Sequence, residues 1–498
     1  MDERRTVSQT RIDGRAVFAC AAYLIGVGLI FLLERIGAPT GLVRVLGPIL
    51  ALGVVSLIGP LLRTSRIAAF YAADHAGAPR YGAAAFAAIA ASLIFCIDLD
   101  KSGSASPPIV ALAIGFALAG LFVGPLARSA GASSLRDAVV TRFNSRPLRA
   151  TLGLAFFAIG VLIAASGYEI AARTMASLLG LSQAGAIAAI GVILALIVAP
   201  GGLAGLYWVA AAAAGMTALV LFLPILLRVA ADAGAGAPLL GGGAGIAASL
   251  ASAFAPLNPA ASSVNGLGAI AIALGAAVLP PLSTGAFASF TPQEARRAGL
   301  VGVALAAVFG LAVALGGPLW PAFDSMAAES LRASATLIAA LICAAAGVHT
   351  ASRAVSAEAT YGYENVLASA RLARSRGLAL ASIALAAGLA IRHAIHPAEA
   401  LVFATAVSLA VLVPPLLLAV STRSRVAHAI AAVAASLAMI AALIFMNGWA
   451  ALLRQAPVFA LTGAAAGFVV GWAASLFGGA STGAEPPAQL FIEETFDS

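Results

Sequence analysis

Apolar stretches of roughly 17–25 residues, the length a helix needs to cross a hydrocarbon core of about 30 Å, recur from one end of this chain to the other. They fall at approximately 16–34, 43–62, 81–97, 106–127, 150–179, 183–199, 203–227, 264–280, 298–317, 333–352, 377–391, 398–420, 427–446 and 455–477, which makes fourteen candidate spans. Hydrophobic residues form 62% of the 498 residues and charged ones 10%, where a soluble chain carries about 25% charge. A soluble chain could not hide that much apolar surface. Within lipid each backbone polar group must be satisfied inside its own segment, so the runs are expected to be helices. The weakly apolar stretch 231–262, rich in Gly, Ala, Pro, Ser and Asn, is expected to be a long extracytoplasmic loop with a re-entrant or interfacial segment.

Charge tests this count, because cytoplasmic loops hold the excess of Arg and Lys. With the N-terminus inside, twenty of the 28 basic residues fall on the cytoplasmic side, among them Arg63, Arg128, Arg136, Arg142, Arg353, Arg376 and Arg425. Seven fall outside (Arg35, Arg44, Lys101, Arg228, Arg332, Arg392 and Arg454), and Arg173 lies within a span. A miscount of one helix would scramble this bias, so both termini are expected in the cytoplasm of a multi-pass protein of a bacterial inner membrane. The basic stretch Met1 to Arg15 ahead of the first run superficially matches a secretory leader, but the run is long for one and is followed by Glu34 and Arg35.

Other classes fit poorly. The net charge of +8 is scattered over short loops and not gathered on one face, which speaks against a nucleic-acid partner and for the lipid bilayer. Cys20, Cys96 and Cys343 sit in apolar runs without metal-ligand spacing and imply neither a disulfide framework nor a zinc site. There is no HExxH or P-loop motif, and His75, His349, His393, His396 and His428 are dispersed. His393 and His396 are read as an external loop without acidic partners. No enzyme and no organic cofactor is expected.

Several loop motifs carry a resemblance. Phe70-Tyr71 and a polar loop lead through Arg80-Tyr81-Gly82 into the third run. Arg128-Ser129-Ala130-Gly131, Ser134, Asp137 and Arg142-Phe143-Asn144-Ser145 follow. Pro200-Gly201-Gly202 precedes Trp208, and Leu279-Pro280 precedes Thr291-Pro292-Gln293-Glu294-Ala295-Arg296-Arg297. Together with the tail from Pro457 through Trp472 to Phe491-Ile492, these resemble the sodium/solute symporter family, in particular its acetate or monocarboxylate permease branch, over roughly residues 66 to 495.

The resemblance implies an all-α polytopic membrane protein of about fourteen transmembrane helices around a five-plus-five inverted-repeat (LeuT-like) core. Its divisions would be 1–80 for the N-terminal tail and two peripheral helices, 81–230 for the first repeat, 231–262 for the loop, 263–422 for the second repeat and 423–498 for two C-terminal helices and tail. It also implies a secondary transporter in which sodium drives symport of a small organic anion such as acetate. One chain holding both repeats can form a pathway as a monomer. The alternatives are a proton-coupled transporter and a degenerate homologue that acts as a membrane sensor or scaffold.

By resemblance, the ion is held between the first core helix, at Ala88 and Ser92, and the eighth, at His349, Thr350 and Ser352. The first core helix here is rich in Ala and lacks a glycine between Gly82 and Gly103, so an unbroken close-packed helix is the competing reading. Sodium takes hard oxygen ligands, whereas a histidine introduces a proton switch; His349 and Arg353 could equally mark a helix end. Glu169 and Arg173, four apart, share a helix face. They form either an outer-end ion pair or part of an anion pathway, to which Gly266 and Gly268 of the sixth core helix are also assigned. Pro281 and Gly285 stand where the family carries a histidine and an arginine.

Overall fold

A computed structural model describes residues 21–64, 79–99, 109–129, 134–234, 266–283, 291–316, 325–360, 368–393, 396–421 and 424–477, with Phe18, Phe70 and Ser289. The stretch 1–17, Cys20, most of the loop at 231–262, Asp100 and Lys101, and the tail from 478 lie outside the described residues. The described residues are all helix and connections. We number the helices α1 (21–35), α2 (Thr40–Leu61), α3 (Pro79–Leu99), α4 (109–129), α5 (Leu135–Phe143), α6 (Arg146–Leu179) and α7 (Gln183–Gly234). After the long loop come α8 (Gly266–Ala277), α9 (Pro292–Gly316), α10 (Met326–Thr360), α11 (Ala368–Ile391), α12 (Pro397–Val420), α13 (Val426–Asn447) and α14 (Trp449–Phe477). Nine segments among the described residues are long and apolar enough to cross a membrane. Helix occupies most of every apolar run, and several helices extend a turn or more beyond it into polar residues.

The helix ends follow from local chemistry. Ser145 accepts from Leu148 N at the start of α6, and Gly180, at φ 64°, ends it in the left-handed conformation. Thr291 and Glu294 close a reciprocal capping box at α9, with Pro292 at the first helical position, which gives the Thr-Pro-Gln-Glu motif its physical role. The two runs expected at 183–199 and 203–227 form two helical arms of α7 joined by a sharp kink at Gly202, where φ is 54° and ψ −131°, and a Cβ on Gly205 would lie 2.9 Å from Ile197 O. Only glycine adopts the Gly202 conformation readily, and a Cβ on Gly202 would also meet Phe70. In α4 a single π turn, Ala119–Val123, lies where the backbones of Gly120 and Gly299 touch as α4 crosses α9.

The tightest seam joins α6 to α10. A methyl group on Gly160 would lie 2.5 Å from Ala351 N and 2.7 Å from Gly347 O, and one on Gly167 would lie 2.6 Å from Ala344 N. Gly347 in turn faces the backbone of Ala164. Gly160 opposite Ala351 and Gly167 opposite Ala344 make the pair antiparallel. Small residues stand at 160, 164, 167 and 171 in α6 and at 340, 344, 347 and 351 in α10, the same spacing in both. This is how membrane helices gain contact where lipid is as apolar as their own side chains.

The remaining helices pack around that pair. α6 also touches α11 and α12, and α10 touches α7; α3 packs on α9 and α7, while α8 packs on α4 and α12. Some contacts lack a counterpart: α3 packs against α10, for example, but α8 makes no comparable contact with α6 among the described residues. α2 lies on α7 and α10, and α13 and α14 pair with each other against α12.

If this seam holds the bundle together, Gly347→Leu should lower thermal stability in detergent by at least the roughly 1–3 kcal/mol typical of overpacking. Gly388→Ala on α11, which meets nothing within 4 Å, should be neutral or stabilising by up to about 1 kcal/mol. Equal melting temperatures for the wild type and Gly347→Leu would contradict this reading.

Candidate functional site

Two groups of predicted residues are separated in the structure, one on α3 and α10, which pack together, and one at the end of the bundle where α10 begins. Ala88 and Ser92 of α3 are buried, as are His349, Thr350 and Ser352 of α10. α3 is an unbroken helix over Pro79–Leu99, in keeping with its run of alanines. Its counterpart α8 stops at Ala277, and after Val278 and Leu279 the chain makes only one further helical turn, 280–283, in which Ser283 bonds Pro280 O.

Each hydroxyl bonds its own helix. Ser92 donates to Ile89 O at 2.7 Å, Thr350 to Ala346 O at 2.8 Å and Ser352 to His349 O at 3.0 Å. That spends the proton and leaves oxygen lone pairs to accept a cation. His349 differs. Its ring is 1% exposed and neither nitrogen has a hydrogen-bond partner. A buried imidazole without partners costs free energy unless it acquires one in another state.

A small apolar crevice, with room for about one water, lies between α3, α4, α8 and α12. Leu93, Leu112, Phe116, Ile272, Leu279, Leu401 and Val402 line it, and Thr405 is the sole hydroxyl in that lining. Of the two glycines assigned to the pathway, Gly268 is buried and Gly266 is exposed at the start of α8.

The second group gathers around Glu169. Its carboxylate is 3% exposed and bonded by Arg173, four residues on, while His393 Nδ1 lies 2.9 Å away. Both partners are about half exposed, so the carboxylate is sequestered while Arg173 and His393 face outward. The expectation that His393 lacks an acidic partner is therefore corrected. More than two hundred residues separate it from Glu169, and only the packing of α11 on α6 unites them. His393 itself sits at φ 45°, in the turn that ends α11. At the same end, Glu34 of α1 accepts from Met326 N at 2.6 Å and caps α10, and Arg44 pairs with Glu329 at 2.9 Å.

The basic motifs close the opposite end. Ser134 caps α5 by accepting from Asp137 N, Arg136 donates to Ala354 O at 2.9 Å and Asp137 meets Arg353 at 3.8 Å. Arg128 reaches Ser289 O, and Arg142 reaches Ser421 O. Arg376 of α11 bonds Thr64 O at 2.7 Å and Ala199 O at 3.0 Å, fastening the bend of α7 to the end of α2. Tyr81 and Trp208, from two separate motifs, pack with ring centroids 4.4 Å apart and planes tilted by 60°.

No cluster of three or more His, Cys, Asp or Glu residues suited to a metal occurs among the described residues. Cys96 of α3 and Cys343 of α10 are buried free thiols.

No protein-family model matches the chain, and no curated protein matches it significantly. Among solved structures it is similar to a sodium-coupled sialic acid symporter in a substrate-bound, outward-open state, with a TM-score of 0.68 and 14% identity over 89% of this chain and 99% of that one. A manganese transporter of Eremococcus coleocola, in a mutant form, gives a TM-score of 0.48 at 13% identity, over 82% of this chain and 94% of that one. At 14% identity the first likeness is one of fold: the chain has the helical architecture of a sodium-coupled symporter along nearly its whole length.

Proposed function

We propose that this protein is a secondary transporter of the sodium/solute symporter family, which couples inward movement of sodium to uptake of a small monocarboxylate such as acetate. The observation that carries the proposal is the packing of α3 on α10, two helices that each bear a buried hydroxyl, Ser92 and Thr350, and whose contact has no comparable counterpart between α8 and α6 among the described residues. An ion that bridges such a contact links its occupancy to the position of α3.

An inverted repeat is supported by the exchange of packing partners. Replacing α3, α4, α6 and the two arms of α7 by α8, α9, α10, α11 and α12 turns α3–α9 into α8–α4, α3–α7 into α8–α12 and the α6–α10 pair into itself. The matched spacing of small residues in α6 and α10 points the same way. With the outer helices included, the proposal has fourteen crossings and both termini in the cytoplasm of a bacterial inner membrane, where the arginine clamps would meet anionic lipid.

The half-exposed guanidinium of Arg173 favours approach of an anion. Proton coupling is the second reading, favoured by the unpartnered ring of His349. Outer residues such as Glu169 would tune entry in either case.

Purified protein in proteoliposomes is expected to accumulate labelled acetate or another short monocarboxylate under an inward sodium gradient, and Thr350→Ala is expected to reduce that uptake at least tenfold. Uptake driven by a proton gradient alone and abolished by His349→Ala would transfer the coupling to the histidine. Folded protein that moves no monocarboxylate under either gradient would overturn the transport proposal in favour of a sensor or scaffold. Glu169→Gln, which removes the sequestered charge but keeps its shape, should raise the half-saturating substrate concentration more than it lowers maximal uptake. The reverse pattern would place Glu169 in the coupling step.

A further inference from the structure

At the basic end, two consecutive side chains of α5 hold two consecutive residues of α10. Arg136, 3% exposed, donates to Ala354 O at 2.9 Å, and Asp137 meets Arg353 at 3.8 Å. Ala354 stands one helical turn beyond Thr350 on α10, and Arg353 one turn beyond His349, so each gripped residue shares a face with a residue assigned to the ion site. Thr350 and His349 are themselves buried. From this placement we infer that α5 is a plug that closes the ion site toward the basic end, and that release of its grip on α10 opens the site to the cytoplasm. The inference rests on the transport reading above.

The plug is built to move as one piece. Ser134 caps its first turn by accepting from Asp137 N, and Asn144, at φ 37°, ends it by donating its N–H to Val140 O. Six of its nine residues are buried, and it packs on α6 and α12. At its far end Arg142 reaches Ser421 O, where α12 stops.

Its hold on α10 differs in kind from that of α6. Glycines bring the backbones of α6 and α10 into contact, whereas α5 contains no glycine and reaches α10 through side chains. A grip of that sort opens without repacking the bundle. Release also has a compensation, because burying a guanidinium forfeits hydration that a carbonyl acceptor returns only in part. Water at the end of the bundle restores that hydration when Arg136 swings out. The carbonyl of Ala354 is fixed in place by its helix, so the same bond re-forms on closure.

The test measures whether a water-borne reagent reaches position 350. Full-length protein carrying Thr350→Cys, in lipid nanodiscs, is treated with a charged methanethiosulfonate that does not enter lipid, and peptide mapping separates modification at position 350 from that of the native cysteines. Labelling of this parent should be slow. Asp137→Asn removes the charge facing Arg353 and keeps the backbone N–H that Ser134 caps; it should speed labelling roughly tenfold or more, the expected effect of losing a charge-assisted contact, and Arg136→Gln should do the same. Thr141→Ala, whose hydroxyl bonds only its own helix, should leave the rate unchanged. The Asp137 side chain is 30% exposed, so Asp137→Asn decides the question where Arg136→Gln does not fold. Equal rates in the parent and Asp137→Asn would overturn the plug, as would a parent that labels as fast as an introduced surface cysteine. Equal acceleration by Thr141→Ala would overturn it too, since any weakening of α5 would then suffice without the grip. The labelling needs neither solute nor gradient: acceleration in a protein that moves no solute would refute the transport reading and leave the closure by α5 standing.

Discussion

Everything else in this bundle depends on the backbone contact between α6 and α10. Lipid offers no hydrophobic drive for two helices to associate, so they must gain dispersion contacts that side chains would obstruct. Gly160, Gly167 and Gly347 allow this, and the matched alanines at 164, 344 and 351 continue it. A pair fixed so closely cannot slide, because each backbone fills the space beside the glycines of the other. It forms a rigid post against which the other helices can be placed, and in which one buried ion or one broken contact can bias a large motion.

The two ends of the post have different electrostatics. At the basic end, cations from α4, α5 and α11 donate to carbonyls at the termini of other elements, which satisfies acceptors that a helix end leaves without partners. At the other end the acids are the buried members: Glu169 beneath Arg173 and His393, and Glu34 at the N-terminus of α10. Between them the bundle is nearly free of charge among the described residues, so buried polar groups such as Ser92, Thr350 and His349 carry disproportionate weight. His349 is the most costly of these, since a ring with two nitrogens and no partner is rarely left in a core without use.

Much of this was legible in the sequence. The apolar runs located the helices because lipid imposes both length and composition, and the unbroken α3 follows from a stretch of alanines that contains no glycine. The pairing of Glu169 with Arg173 came from their spacing alone. Local motifs revealed their roles only with the fold: Thr291 to Glu294 is a cap, and Arg136 and Asp137 are a clamp on α10. What could not be read was contact between distant segments. His393 carries no sign of Glu169, Arg136 carries none of Ala354, and an imbalance between the α3–α10 and α8–α6 contacts belongs to a conformation and not to a pattern of residues. The kink of α7 at Gly202 falls where a Gly-Gly pair divides the two apolar runs, with a helical arm on each side of it.

The most direct test of this account is a pair of spin-label distance distributions in lipid nanodiscs, with and without sodium. One spans Ser177 on α6 and Arg332 on α10; the other spans Leu99 on α3 and Arg332. The account predicts a single narrow α6–α10 distribution unchanged by sodium and an α3–α10 distribution that shifts with it. An α6–α10 distance that moves with sodium, or an α3–α10 distance that never does, would contradict it.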